Sequence, residues 1–451
     1  IGDLILQSRN REILIGTVHS RTDWTQARVQ DVLKRLWNHG PKALEFFEAL
    51  DRHPRYRHSA AAFDGAIDIA ARLRDYKRVW NLIRRMRSRK LKPSPKTFSI
   101  VIERYASAGR ADKAVNVFLT MHRHGCPQDL SSFNAMLDVL CKSKRAEKAH
   151  KLFTILRGRF RADAITYNII AYGFCLKKQT SRAVEVMKEM VERGLIPTLT
   201  TYNILLKGYF GAGQIKQGLE FFSQLKKRNV EMDAVSFTTV VHGLGVAGEI
   251  EKARKVFREM SEAGVLPTVA SYNAMIQILC KKDSVENAMK VFDEMQQKGT
   301  KPNATTYNLV IRGLCHVGKF DMAIEYMDRM KENGCCTPTF QTFNIIIRYY
   351  CDEGEIEKAM AVFKKMTCET CLANQDTYNV LISSMFARRK SEDLQVAGEL
   401  LIEMVGRGFL PRRFTVNRVL NGLLVTGNQT FARQVLRVLT ANGLLPRKFK
   451  L

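Results

Sequence analysis

The chain contains no run of eighteen apolar residues, the length a helix needs to cross a bilayer, so no membrane span is expected. It has no Walker loop, no dinucleotide-binding glycine fingerprint and no Ser/His/Asp pattern, so nucleotide-driven and serine-hydrolase chemistry are not expected. H-x-E occurs nowhere, so the C-x-x-C of Cys368 and Cys371 lacks the partner that a zinc deaminase site requires. Carboxylates are scarce: 44 Asp and Glu face 72 Lys and Arg, a net +28 over 451 residues. An excess of that size points to a polyanionic partner. The chain also lacks an initial Met, as would a protein whose targeting segment has been cleaved.

What is present is a repeat. Residues 234–268 and 269–303 align residue for residue with a period of 35. In each an aromatic plus small polar pair (Phe237-Thr238, Tyr272-Asn273) opens an apolar run, followed by an alanine (Ala253, Ala288), a methionine (Met260, Met295) and a closing Gly-x-x-Pro. A fixed period in this range signals a solenoid of one supersecondary unit, here two helices of roughly 12 to 15 residues facing each other. Eleven units follow in register: 60–94, 95–129, 130–163, 164–198, 199–233, 234–268, 269–303, 304–339, 340–374, 375–412 and 413–447. Residues 1–23 are irregular, 24–59 form a degenerate unit expected to cap the array, and 448–451 are a tail too short for a deaminase or nuclease domain.

Three columns read as core. The small residue recurs as Ala114, Ala149, Ala183, Ala253, Ala288, Ala323, Ala359, Ala397 and Ala432, with Gly218 in the same slot, and lets two helix backbones approach. Seven residues later a large plug follows, usually Met (Met86, Met190, Met330) and sometimes Leu (Leu156, Leu225, Leu439). Gly125, Gly194, Gly264, Gly299, Gly334, Gly408 and Gly443 are expected to end the second helices. Cys141, Cys175, Cys280, Cys315 and Cys351 share one place on the apolar face of the first helix and act there as small hydrophobes, which fits a reducing compartment. Cys335, Cys336, Cys368 and Cys371 fall near the ends of adjacent units; surface and turn thiols are a plainer reading of them than a zinc or redox site.

The 35-residue unit with Tyr-Asn at its start, Cys in the first helix, Ala and Met in the second and Gly-x-x-Pro at its end resembles the pentatricopeptide repeat (PPR), P-type subfamily, over residues 60–447. The tetratricopeptide repeat is set aside because its Trp and Leu-Gly signature is missing. The resemblance implies an all-α, right-handed superhelical α-solenoid that binds single-stranded organellar RNA, one base per repeat. It implies base reading by the residue after the opening aromatic together with the last residue of the unit. These pairs are Asp64 with Ser94, Ser99 with Asp129, Asn134 with Asp163, Asn168 with Thr198, Asn203 with Asp233, Thr238 with Thr268, Asn273 with Asn303, Asn308 with Thr339, Asn344 with Asn374, Asn379 with Arg412 and Asn417 with Arg447. The two arginines depart from the pattern. The competing role for any one such Asn is a helix N-cap. By the same resemblance Arg72, Lys142, Lys281 and His316 face phosphates, Asn with Asp prefers U, Asn with Asn or Thr prefers a pyrimidine, and Ser with Asp prefers G.

The expected function is therefore sequence-specific RNA binding in transcript maturation, in splicing, end protection or translation, in the mitochondrion or alternatively the chloroplast. No enzymatic activity, cofactor, metal, membrane or small-molecule substrate is expected; other processing factors are possible partners. The alternative is a structural repeat protein of an organellar ribosome or ribonucleoprotein scaffold.

Overall fold

The computed structural model describes residues 16, 18, 24–281, 284–332, 336–369, 371–388, 390–407, 409 and 411–441. Residues 448–451, most of 1–23, Gly334, Cys335, Gly408, Gly443 and Arg447 lie outside that set. Among the described residues every regular element is helical, and the chain divides into two compact units, 1–231 and 232–451.

In the first unit α1 (Gln26–Arg35) and α2 (Gly40–Asp51) precede five pairs. These are α3 (Ala60–Arg72) with α4 (Tyr76–Ser88), α5 (Pro95–Ser107) with α6 (Ala111–Thr120), α7 (Leu130–Lys142) with α8 (Ala146–Phe160), α9 (Ala164–Leu176) with α10 (Thr180–Glu192), and α11 (Leu199–Gly211) with α12 (Ile215–Lys227). The second unit holds six pairs: α13 (Ala234–Val246) with α14 (Ile250–Glu262), α15 (Val269–Cys280) with α16 (Val285–Gln297), α17 (Ala304–His316) with α18 (Phe320–Glu332), α19 (Phe340–Asp352) with α20 (Ile356–Cys368), α21 (Gln375–Arg388) with α22 (Ser391–Gly406), and α23 (Arg413–Val425) with α24 (Gln429–Ala441). Within each unit the odd-numbered helices pack side by side, α3 through α11 and α13 through α23, so first helices form a continuous layer.

The columns account for the packing. The opening aromatics are buried from Phe63 to Tyr378, apart from half-buried Tyr202. Most receive the edge of an aromatic from the preceding second helix: Phe153 on Tyr167, Phe257 on Tyr272 and Phe292 on Tyr307, with centroids 5.0, 5.4 and 5.2 Å apart. The alanine column is fully buried, and Gly218 replaces alanine where the Phe210 ring would lie 3.1 Å from a Cβ. Every described Met of the plug column is buried, whereas Leu156 is only partly so.

The cysteine column has a mate that sequence reading did not identify. A Cβ added to Gly173 would meet Cys141 Sγ at 2.3 Å, one at Gly208 would meet Cys175 Sγ at 2.4 Å, and one at Gly313 would meet Cys280 Sγ at 2.5 Å. Each thiol thus fills the hole left by a glycine on the next first helix. At Gly245 and Ile278 the exchange runs the other way: Gly245 occupies the cysteine slot, and the isoleucine in the glycine slot reaches into it.

Second helices end on left-handed residues, as at Gly194 (φ 78°). First helices end in the same way, and there the residue is often not glycine: Lys178 takes φ 59°.

Candidate nucleic-acid interface

Both candidate columns are fixed by the start of the first helix. The first column, from Asp64 to Asn417, is the fifth residue of its helix in all eleven pairs. Such a residue is inside the helix and cannot be its N-cap, which corrects the competing role given to these asparagines. The cap falls on the other column. Ser94, Asp129, Asp163, Thr198, Asp233, Thr268, Asn303, Thr339, Asn374 and Arg412 each immediately precede a first helix. Reciprocal capping boxes close at Ser94, Asp129, Asp163, Thr198, Thr268, Asn303 and Thr339. Arg412 makes no side-chain cap bond.

The other half of each box is a buried hydroxyl just before the aromatic, and this hydroxyl ties the two columns together. Thr97 Oγ1 donates to Asp64 Oδ1 at 2.6 Å while its amide is capped by Ser94. Thr166 Oγ1 lies 2.8 Å from both Asn134 Oδ1 and Asp163 Oδ1. Ser271 Oγ meets Thr238 Oγ1 at 2.6 Å and Thr268 Oγ1 at 3.1 Å. Thr377 Oγ1 donates to Asn344 Oδ1 at 2.7 Å, and Asn344 Nδ2 donates to Asn374 Oδ1 at 3.2 Å. These Ser and Thr residues were absent from the candidate set, although a hydroxyl directly before every opening aromatic from Phe98 to Tyr378 was legible as half of a capping box.

The hydroxyls also shift the acids. Asp129 is held below the usual carboxylate range by the Ser132 amide and then by its hydroxyl. Burial opposes ionisation of Asp163, but the Thr166 amide and hydroxyl and the Asn134 side chain outweigh it and bring the carboxyl down. At Asp64 burial prevails over the Thr97 hydroxyl and Lys96, and the pKa rises. The Oδ1 atoms of Asn168, Asn273, Asn308 and Asn379 are buried without a hydrogen-bond partner among the described residues. Asn168 and Thr198 line a common cleft of about 300 Å³ with Ile165, Ile169 and Tyr172.

The proposed phosphate column sits at the C-terminal ends of first helices. Arg72 stacks over Trp37 at 4.3 Å, Lys142 pairs with Asp138 at 2.6 Å, Lys281 is exposed at the end of α15, and the His316 ring lies 6.3 Å from that of Tyr349. The charge is concentrated elsewhere. Residues 1–231 carry 43 Lys and Arg against 21 Asp and Glu, while 232–451 carry 29 against 23, so most of the basic excess belongs to the first unit. Among the described residues no group of three or more His, Cys, Asp or Glu could hold a metal ion, Cys368 and Cys371 form no disulfide, and no helix is long and apolar enough to cross a membrane.

A family model for the PPR repeat family matches seven overlapping stretches between residues 128 and 387, and a PPR repeat model matches 96–126. A pentatricopeptide repeat-containing protein of Arabidopsis thaliana, named as mitochondrial, is 68% identical over all of this chain and 94% of its own length. A second Arabidopsis protein of that description, also named as mitochondrial, is 35% identical over 38% of this chain and 33% of its own. Among solved structures, the pentatricopeptide repeat protein PPR10 in complex with an 18-nucleotide psaJ RNA element aligns with TM-score 0.41 and 18% identity over 99% of this chain and 74% of that one. Yeast Rmd9p in complex with a 16-nucleotide target RNA aligns with TM-score 0.39 and 11% identity over 98% of both chains. The chain belongs to the pentatricopeptide repeat family.

Proposed function

We propose that this protein is a P-type member that binds single-stranded RNA in mitochondria and reads it one base per helix pair, without enzymatic activity, in the service of transcript maturation. The observation that carries the reading is the buried hydroxyl that links the two columns in four of the pairs, as Thr166 does for Asn134 and Asp163 and Thr377 for Asn344 and Asn374. Helix capping alone needs only the second column. A small polar side chain recurring at the fifth position, bonded to the capping pair, supplies a second preorganised group at a fixed height along the layer. An Asn amide such as that of Asn168, which lines the cleft with Thr198, can donate to a pyrimidine carbonyl, and the capping acids of other pairs add acceptors. The mitochondrial assignment follows the compartment named for the relative at 68% identity.

The test is selection from a randomised RNA pool by gel shift. Expected is enrichment of one motif with G, U and a pyrimidine in succession, from Ser99 with Asp129, Asn134 with Asp163 and Asn168 with Thr198. Three further pyrimidines should follow downstream from the pairs opened by Asn273, Asn308 and Asn344. Co-sedimentation with a ribosomal subunit and no enriched motif would replace this reading with the scaffold.

A further inference from the structure

The basic excess of the first unit is densest around α4, the second helix of the first pair. Between residues 72 and 92 ten Lys and Arg meet a single acid, Asp75, and that acid is used as the cap of α4, accepting from the Arg78 amide at 3.0 Å. Three of the ten have partners on α2: Arg78 pairs with Glu48, and Arg85 and Arg89 both pair with Asp51. Those pairs draw the loop after α4 against the loop after α2, and so bring two sets of exposed cations to one edge. Arg52 and Arg55 come from one loop and Lys90 and Lys92 from the other, all four exposed, whereas Arg84 and Arg87 lie across α4 from the α2 side, Arg84 donating to the Trp80 carbonyl and Arg87 near His124. Among the described residues none of these four pairs with a carboxylate. Like charges gathered without counter-charges raise the free energy of the folded chain by mutual repulsion, and a bound polyanion removes that cost while releasing its condensed counterions.

We propose that this N-terminal edge is a second, sequence-independent phosphate site, which holds single-stranded RNA continuing 5′ of the segment read by the paired columns. The inference rests on the RNA-binding reading above. With the chain aligned N-terminus to RNA 5′ end, as the pentatricopeptide resemblance implies, the four cations lie at the 5′ end of the read segment, and Lys92 stands two residues before Ser94 of the first pair. Arg and Lys on loops supply point charges and forks that grip a backbone without reading an edge.

The experiment compares two RNAs, the motif obtained by selection alone and the same motif with a ten-nucleotide 5′ oligo-A extension, against the wild-type chain and the fourfold variant R52Q/R55Q/K90Q/K92Q. For wild type the extension should raise affinity about tenfold at low salt and steepen the log-log salt slope by up to about 3, at roughly 0.7 per phosphate contact on a single strand. The variant should bind the unextended motif as wild type does and lose the gain from the extension. A 3′ extension of the same length should add little to either protein. The inference is overturned if the 5′ extension adds nothing to wild type, if the variant keeps the whole gain, or if a duplex 5′ extension gives an equal gain. Failure of both proteins to prefer any motif would be the failure of the base-reading proposal instead, and the extension measured on oligo-A alone would still report on this edge.

Discussion

Asn134 and Asp163 show what a single pair is built to do, because Thr166 fixes both side chains at once. Replacing Asn134 with Thr, and keeping Asp163, removes the amide that the proposed reading sets against a pyrimidine and puts a smaller side chain in its place. The preference at that position should move from U to G, with discrimination of about 1–3 kcal/mol if RNA edges behave like base contacts of known strength. Affinities for four RNAs differing at that base decide it, and an unchanged ranking would show that Asn134 only supports the cap. His58 supports a prediction about stability. Its ring stacks on Phe47 at 3.8 Å, and its Nε2 donates to the Phe47 carbonyl at 2.9 Å. Burial brings its pKa down to about 4, against the weaker pull of that carbonyl and of Asp51, and with Arg85 and Arg89 adding to the fall. The folded pKa lies below the ordinary 6.5, so the neutral ring stabilises the fold above pH 6.5 and that stability drains away as pH falls towards 4. The full effect is on the order of 3 kcal/mol. Urea midpoints at pH 7 and pH 5 should differ by less in His58→Phe than in wild type; an equal difference would place the titration elsewhere.

At the scale of the helix, the sequence was legible where a column repeats and obscure where two columns trade volume. The alternation of paired helices follows from hydrophobic spacing, and the alanine and methionine stripes lie in the core where that spacing puts them. The cysteines were recognisable as buried, yet the glycine opposite each belongs to another unit, so only the packed layer reveals that Cys141 needs Gly173. The same holds for the paired columns: in the four linked pairs both side chains belong to one unit, and the hydroxyl that joins them comes from the next. Turn glycines were partly legible, but the left-handed residue after α9 is Lys178, which no glycine count would find. Volume exchange gives a testable cycle at Gly245 and Ile278. A Cβ at Gly245 would lie 2.0 Å from Ile278 Cγ1, so Gly245→Ala should destabilise by about 1–3 kcal/mol despite the better helix propensity of alanine. In an Ile278→Ala background only the Cβ at 3.2 Å remains, and Gly245→Ala should become neutral or stabilising. Additive denaturation midpoints across the four proteins would refute the interlock.

For the whole molecule, the contacts dictate how damage spreads. First helices pack in sequence order within each unit, α15 against α17 and α17 against α19, and each second helix serves its own pair and the next. An array of this kind has a stability close to the sum of its pairs and of the interfaces between neighbours. A defect should therefore loosen the surrounding pairs and fade with distance, in contrast to a single-core domain, which unfolds as one body. Met330 provides the defect: it is fully buried at the plug position of α18, and Met330→Ala opens a cavity worth about 2–5 kcal/mol. Amide exchange on the full-length chain should speed up in α16 to α20, with the largest change in α17 and α18, while α3 to α7 keep wild-type protection. A uniform loss of protection from α3 to α23 would mean that the pairs unfold as one cooperative body and that the neighbour-by-neighbour account is wrong.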